Sequence, residues 1–179
     1  MQFKNDAFGT SDFEAVKDLT GSFAATSYLK GENRGYSIAN AKVKRDGVRQ
    51  GEKESTAYSS QNEAYALVLN AEDWVKYLVD APETDDYSLS LTVGKSSKGC
   101  VFEIIIDNQT IIKSEIPEDL EFGTQSYVNV NAGSFHVEKG VHSLKIRVFD
   151  GTLDVLNLST SKNATALGQV TDSLRDKDS

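Results

Sequence analysis

A single cysteine, Cys100, stands among 179 residues, so no internal disulfide can form. It precedes the apolar run Val101–Ile106 and reads as a small core residue rather than a nucleophile. No apolar stretch reaches the roughly 20 residues needed to cross a bilayer as a helix. Residues 1–6 lack the apolar centre of a signal peptide, so a secreted parent protein would carry its signal elsewhere. Positive charge is scarce: 19 Lys and Arg stand against 27 Asp and Glu, a net charge of −8. Binding of nucleic acid works by releasing counterions from clustered Lys and Arg, so no nucleic-acid partner is expected. No anionic membrane partner is expected either. The signatures GxSxG, HExxH and a phosphate-binding Gly-rich loop are missing. His136 and His142 lack the further ligands of a zinc site. The carboxylates scatter through loops without the frame a glycosidase pair needs. A non-catalytic chain is the expectation.

What is present is a succession of short β-rich runs. They are 64–69, 74–79, 87–93, 101–106, 110–112, 127–130, 134–137, 142–148 and 152–158. Tyr87, Leu89, Leu91 and Val93 share one face against Ser88, Ser90 and Thr92. Leu144, Ile146 and Val148 oppose Lys145 and Arg147 in the same way. Period-two alternation marks strands with one side in a core. Asp107-Asn108 reads as a tight hairpin, and Lys139-Gly140 and Asp150-Gly151 punctuate the last strands. Many short strands with polar turns mean a sandwich or a barrel, and the expectation is an all-β fold, a sandwich of two antiparallel sheets. Its core should hold Leu89, Leu91, Ile104, Leu144 and Ile146.

Apolar residues make up 39% of the chain. That is enough for one domain because they gather in runs. The organisation expected is an extension over 1–10, a sandwich over 11–161 and a tail over 162–179. Ser11-Asp12-Phe13-Glu14 fits a capping box, with Phe13, Val16 and Leu19 at helical spacing and Gly21 as the stop. A strand over 13–16 competes with that helix. In the tail, Leu167, Val170 and Leu174 allow a weak amphipathic helix, or a frayed end.

The aromatics divide by context. Trp74 and Tyr77 fall in an alternating run and belong to the core or its margin. Tyr28, Tyr36, Tyr58 and Phe122 lie in polar segments where nothing demands a large ring, so each is a candidate to stack on a ligand.

Asn33-Arg34-Gly35-Tyr36, Arg45-Asp46-Gly47-Val48 and Asp73-Trp74-Val75-Lys76-Tyr77 follow one another in an order that resembles the family 6 carbohydrate-binding modules. So do Gly123-Thr124-Gln125-Ser126-Tyr127, Lys139–Leu144 and Gly151–Leu158. The likeness runs over about residues 11 to 160 and extends to the related family 35 modules.

The resemblance implies a jelly roll, a structural calcium ion and a sugar site in the loops between the sheets. It implies a polysaccharide or oligosaccharide partner, an appended catalytic domain in the parent chain, an extracellular location and a monomer. The ring positions of the family clamp fall on Val43 and Thr124, which carry no ring, and the Asn position falls near Asp154. The implied ligand site is therefore built from Tyr36, Phe122, Gln125 and Asp154, or moved to a sheet face with Tyr58 and Tyr65. The implied calcium ligands are Glu14 and Asp154. If Glu14 instead caps a helix, it is not free for calcium. The alternative reading is a structural or adhesive sandwich that has lost sugar binding.

Overall fold

The computed structural model describes residues 11–45, 47–49 and 51–162. The expected extension over 1–10 and the tail helix fall outside them.

The chain opens on one helical turn, α1 (Ser11–Glu14), followed by β1 (Lys17–Asp18), β2 (Ser22–Ala24) and β3 (Tyr36–Ser37). A small ribbon, β4 (Lys42–Val43) with β5 (Lys53–Glu54), precedes β6 (Thr56–Ser59) and β7 (Ala64–Asn70). The long strands are β8 (Trp74–Ala81), β9 (Asp85–Gly94), β10 (Val101–Ile106), β11 (Thr110–Glu115), β12 (Tyr127–Val137), β13 (Gly140–Asp150) and β14 (Thr152–Lys162). A 3-10 turn, Lys95–Ser97, links β9 to β10. Two six-stranded sheets result. One has the order β1-β8-β13-β10-β11, with β3 also on β8. The other has the order β12-β9-β14-β7-β6, with β2 also on β14. The expected all-β antiparallel sandwich is what the chain forms; the β1–β8 pair is the parallel one among the described ladders.

Alternation explains the layering. Leu144 and Ile146 of β13 and Ile104 of β10 turn inward, as do Leu89 and Leu91 of β9, all at most 1% exposed. Each such side chain contributes about 1.5–3 kcal/mol by leaving water. The runs expected at 127–130 and 134–137 are one strand. β12 passes through a register shift between Asn131 and Gly133, and Gly133 holds φ +148. A bulge of this kind inserts a residue and bends the strand without ending it. The Asp107-Asn108 hairpin forms as expected. Both residues take positive φ, and the Gln109 N–H donates to the Ile106 carbonyl.

At the N-terminus the expected helix forms for its first turn only, and the competing strand over 13–16 does not form; the strand begins at Lys17. The helix stops after Glu14 because β1 pairs with β8 and the Leu19 N–H donates to the Asp80 carbonyl. Tertiary pairing thus overrides the helical spacing of Val16 and Leu19.

Candidate functional site

β9 ends level with the start of β12, and this is where a cleft opens. Gly94, the last residue of β9, lies opposite Tyr127, the first of β12. A Cβ at Gly94 would fall 2.6 Å from Asp154 Oδ2 and 3.1 Å from Tyr127 Cε2. Only the bare glycine lets these two side chains meet above it. Tyr127 Oη donates to Asp154 Oδ1 at 2.8 Å. Ser97 Oγ grips the Asp154 backbone, accepting from its N–H at 2.8 Å and donating to its carbonyl at 3.1 Å. The cleft, about 520 Å³, is lined by Gly94–Ser96, Gly123–Tyr127 and Asp154.

Its far wall is a loop held from two sides. Phe122 is buried, with the Lys98 ammonium 5.8 Å from its ring, and its carbonyl accepts from the Gln125 N–H. Gly123 takes φ +57 to make that turn. Gln61, in the β6–β7 turn, donates Nε2–H to the Thr124 carbonyl at 3.0 Å and accepts from the Ser126 N–H at 2.6 Å. An amide bonded at both ends fixes the loop as a strand neighbour would.

Burial pushes the Asp154 carboxyl above its ordinary range, against the hydrogen bonds from Tyr127 and Ser96. Burial also raises the Tyr127 phenol, and the bond to Asp154 adds to that. The cleft thus offers one desolvated carboxyl, one tyrosine ring, a lysine at the rim and several hydroxyl and amide groups. A polyol can bond to such a set. Among the described residues that line the cleft, Asp154 is the carboxyl group.

Of the residues expected in the site, Gln125 and Asp154 do share this cleft. Tyr36 and Phe122 do not present rings to it. Tyr36 is 3% exposed: β3 pairs with β8 at Val75, and its ring meets Tyr28 edge-on at 5.3 Å. Phe122 is 6% exposed and anchors the loop from beneath. Tyr28 is also buried, stacked against the Arg49 guanidinium at 3.6 Å. Thr124 lines the cleft, whereas Val43 lies exposed on the β4–β5 ribbon. Tyr58 is the one expected loop aromatic that stays open, 57% exposed, with its ring 5.0 Å from Tyr65 across the β6–β7 pair.

Glu14 and Asp154, the expected calcium ligands, are each engaged by protein partners. Both Glu14 oxygens are taken by Arg34, and one also accepts from the Lys30 N–H at 2.8 Å. Calcium takes six to eight oxygen ligands. Among the described residues no group of three or more His, Cys, Asp or Glu could hold a metal.

Sequence reasoning passed over Gly94, Lys95, Ser96, Tyr127 and Gln61 as site residues. In the sequence Tyr127 opens the run 127–130, and its position beside a polar loop is the available signal. Nothing local marked Gln61, which acts across 63 residues.

No protein-family model matches the chain, and no curated protein matches it in sequence. Among solved structures it is similar to a carbohydrate-binding module of family 6 from Cellvibrio mixtus lichenase 5A, in complex with cellotriose. The TM-score is 0.57 at 13% identity, over 80% of this chain and 98% of that one. It is also similar to a family 6 module from Clostridium stercorarium in complex with cellobiose, with TM-score 0.54 and 10% identity over 83% and 98%. A 4-O-methyl-α-glucuronidase with specificity for decorated arabinogalactans contains a comparable region. There the TM-score is 0.53 at 12% identity, over 83% of this chain and 18% of that one. At these identities the likeness establishes the fold alone, a β-sandwich like that of these modules.

Proposed function

We propose that this chain is a non-catalytic carbohydrate-binding module and that the cleft around Asp154 receives its sugar. The observation carrying this reading is the desolvated Asp154 carboxyl, held by Tyr127 at 2.8 Å in a cleft whose other lining is mostly hydroxyl and amide. A buried acceptor of this kind, prearranged by its own partners, bonds a sugar hydroxyl with little reorganisation. That two similar structures hold cellotriose and cellobiose supports a glycan as the ligand class. With one half-buried ring rather than two opposed ones, binding is in the micromolar to millimolar range. In this reading the module holds an appended catalytic domain on an extracellular polysaccharide and works as a monomer.

Titration calorimetry against soluble oligosaccharides, following a glycan array, tests the cleft. Asp154→Asn and Tyr127→Phe should each weaken binding about tenfold, the value of one hydrogen bond to a charged group. If both variants bind as the parent does, the cleft is the wrong place and the exposed Tyr58–Tyr65 pair becomes the site to vary. The second reading, a structural or adhesive sandwich, is favoured by the burial of Tyr36 and Phe122 and by the ringless Val43 and Thr124. A blank glycan array would select it.

A further inference from the structure

The outer face of the β8-β13-β10-β11 sheet carries a charge arrangement that folding alone does not explain. Lys145 of β13 lies directly opposite Lys76 of β8, and its other neighbour in that row is Ile105. Like charges directly opposite on a sheet destabilise it. The chain has 27 acidic residues to place there, yet none forms an ion pair with Lys76, Lys145 or Lys113 among the described residues. Glu103 lies opposite Lys113 in the β10–β11 ladder but is paired with Arg147, at 3.5 Å. The one arginine nearby, Arg147, is already engaged by Glu72 and Glu103. Lys76 and Arg147 both depress the Lys145 pKa, after burial, which lowers it most. The local field at Lys145 is cationic.

Rings lie under these ammonium groups. Trp74, half-buried, has Lys145 Nζ 4.4 Å and Lys76 Nζ 6.0 Å from its centroid. Phe149, 49% exposed, has Lys113 Nζ at 4.7 Å. A cation over a ring at an exposed site is held weakly, by about 0.5–1 kcal/mol. A carboxylate or sulfate bonding to the same ammonium makes a charge-assisted hydrogen bond, which is stronger. An anion therefore draws the two ammonium groups off the indole and uncovers a flat apolar surface beside them.

We propose that this face, centred on Trp74, Lys76 and Lys145, is a second ligand surface that takes a glycan bearing carboxylate or sulfate groups. The acid groups pair with the two lysines while a pyranose C–H face stacks on the uncovered indole. That the anion is carried on a sugar rests on the carbohydrate-binding reading; that the ligand is anionic does not.

The test is affinity electrophoresis of the purified chain in gels containing polygalacturonate, dextran sulfate or neutral hydroxyethyl cellulose. The polyanion gels should retard it, with retardation falling as salt rises. Retention by only one of the two assigns the acid group, and either supports the proposal. The double variant Lys76→Gln/Lys145→Gln should bind about tenfold more weakly. Its melting temperature should hold or rise, since a repulsion is removed; a lysine pair with a merely structural role would lower it. The charge-matched Lys42→Gln/Lys139→Gln, both exposed on other elements, should be retained like the parent. Retention of the Lys76→Gln/Lys145→Gln variant like the parent overturns the site. Weaker retention of the Lys76→Gln/Lys145→Gln variant than of the parent by the neutral gel overturns anion selectivity. Competition by duplex DNA as strong as by polygalacturonate overturns the glycan assignment. Failure of the Asp154 cleft appears instead on neutral oligosaccharides with the Asp154→Asn chain, so the two outcomes are separable.

Discussion

Gly94 shows how one missing side chain shapes the cleft. Because a Cβ there would fall on Asp154 and Tyr127, Gly94→Ala should part the two groups and weaken glycan binding at least as much as Asp154→Asn does. Calorimetry of both variants checks it. Tyr36 illustrates the opposite case. In the sequence its polar neighbours Asn33, Arg34 and Gly35 marked an open loop, but the ring is sealed under a two-residue strand. Gly35 explains the seal, since its Cα lies so close to the Leu29 carbonyl that a Cβ would fall 2.0 Å from that oxygen. Tyr36→Ala should therefore cost about 3–5 kcal/mol, as for a buried aromatic, read by urea denaturation. A melting temperature equal to that of the parent would mean that the ring is not packed. Arg49 was equally hidden. It is fully buried between Phe13 at 3.9 Å and Tyr28 at 3.6 Å, and it donates to the carbonyls of Thr26, Tyr28 and Leu29. Composition ranks an arginine as surface, so only the fold could reveal it as the pin of this corner.

At the scale of elements, the long strands were readable because alternation and turn residues agree. Leu89 and Leu91 against Ser88 and Ser90 leave a single face to bury, and a register slip would expose it. The short strands β1 to β5 were not readable, because two or three residues carry no period. The β10–β11 hairpin has a fastening of its own. His142 Nδ1 lies 2.6 Å from Asp107 Oδ2, and Nε2 lies 2.6 Å from the Glu138 carbonyl. Both partners are acceptors, so the arrangement favours the imidazolium, which has a proton on each ring nitrogen. Burial alone lowers the His142 pKa; the bonds to Asp107 and Glu138 outweigh it, and the net shift is upward. Burial likewise raises the Asp107 carboxyl, but His142 and the Ser143 N–H pull it below its ordinary value. The sign follows. The histidine contribution is complete below about pH 6.5, the unfolded value, and fades as pH rises through the higher folded one. The aspartate contribution is complete above about pH 3.8 and fades as pH falls through the lower folded one. Melting temperature should thus decline as pH rises above about 6.5, and His142→Gln should flatten that limb. An unchanged limb in the variant would assign the decline to other groups.

For the molecule as a whole, core and charge give separate expectations. Leu144→Ala, at a fully buried position, should cost about 2–5 kcal/mol, with circular dichroism still of the β type. Because Glu14 and Asp154 are each engaged elsewhere, EDTA should leave the melting temperature unchanged. A downward shift, or calcium found by elemental analysis, would place an ion on oxygens other than this pair. The net charge of −8 was legible and argued against polyanions. It says nothing of where the minority charge sits, and strand pairing alone brings Lys76 next to Lys145.

β14 comes last among the described strands, yet it stands in the middle of its sheet, with β9 on one side and β7 and β2 on the other. Thr160 donates to the Gly21 carbonyl across 139 residues of chain. Until β14 is in place, β9 and β7 have no connection through the ladder, and the inner faces of Leu67, Leu69, Leu89 and Leu91 lie open to water. During synthesis, then, the sandwich cannot close on the emerging chain. Assembly waits for the final strand, and loop closure over such spans makes it slow. A product truncated before Thr152 would display two unsatisfied strand edges beside apolar surface, which is the recipe for clumping rather than for a smaller folded module.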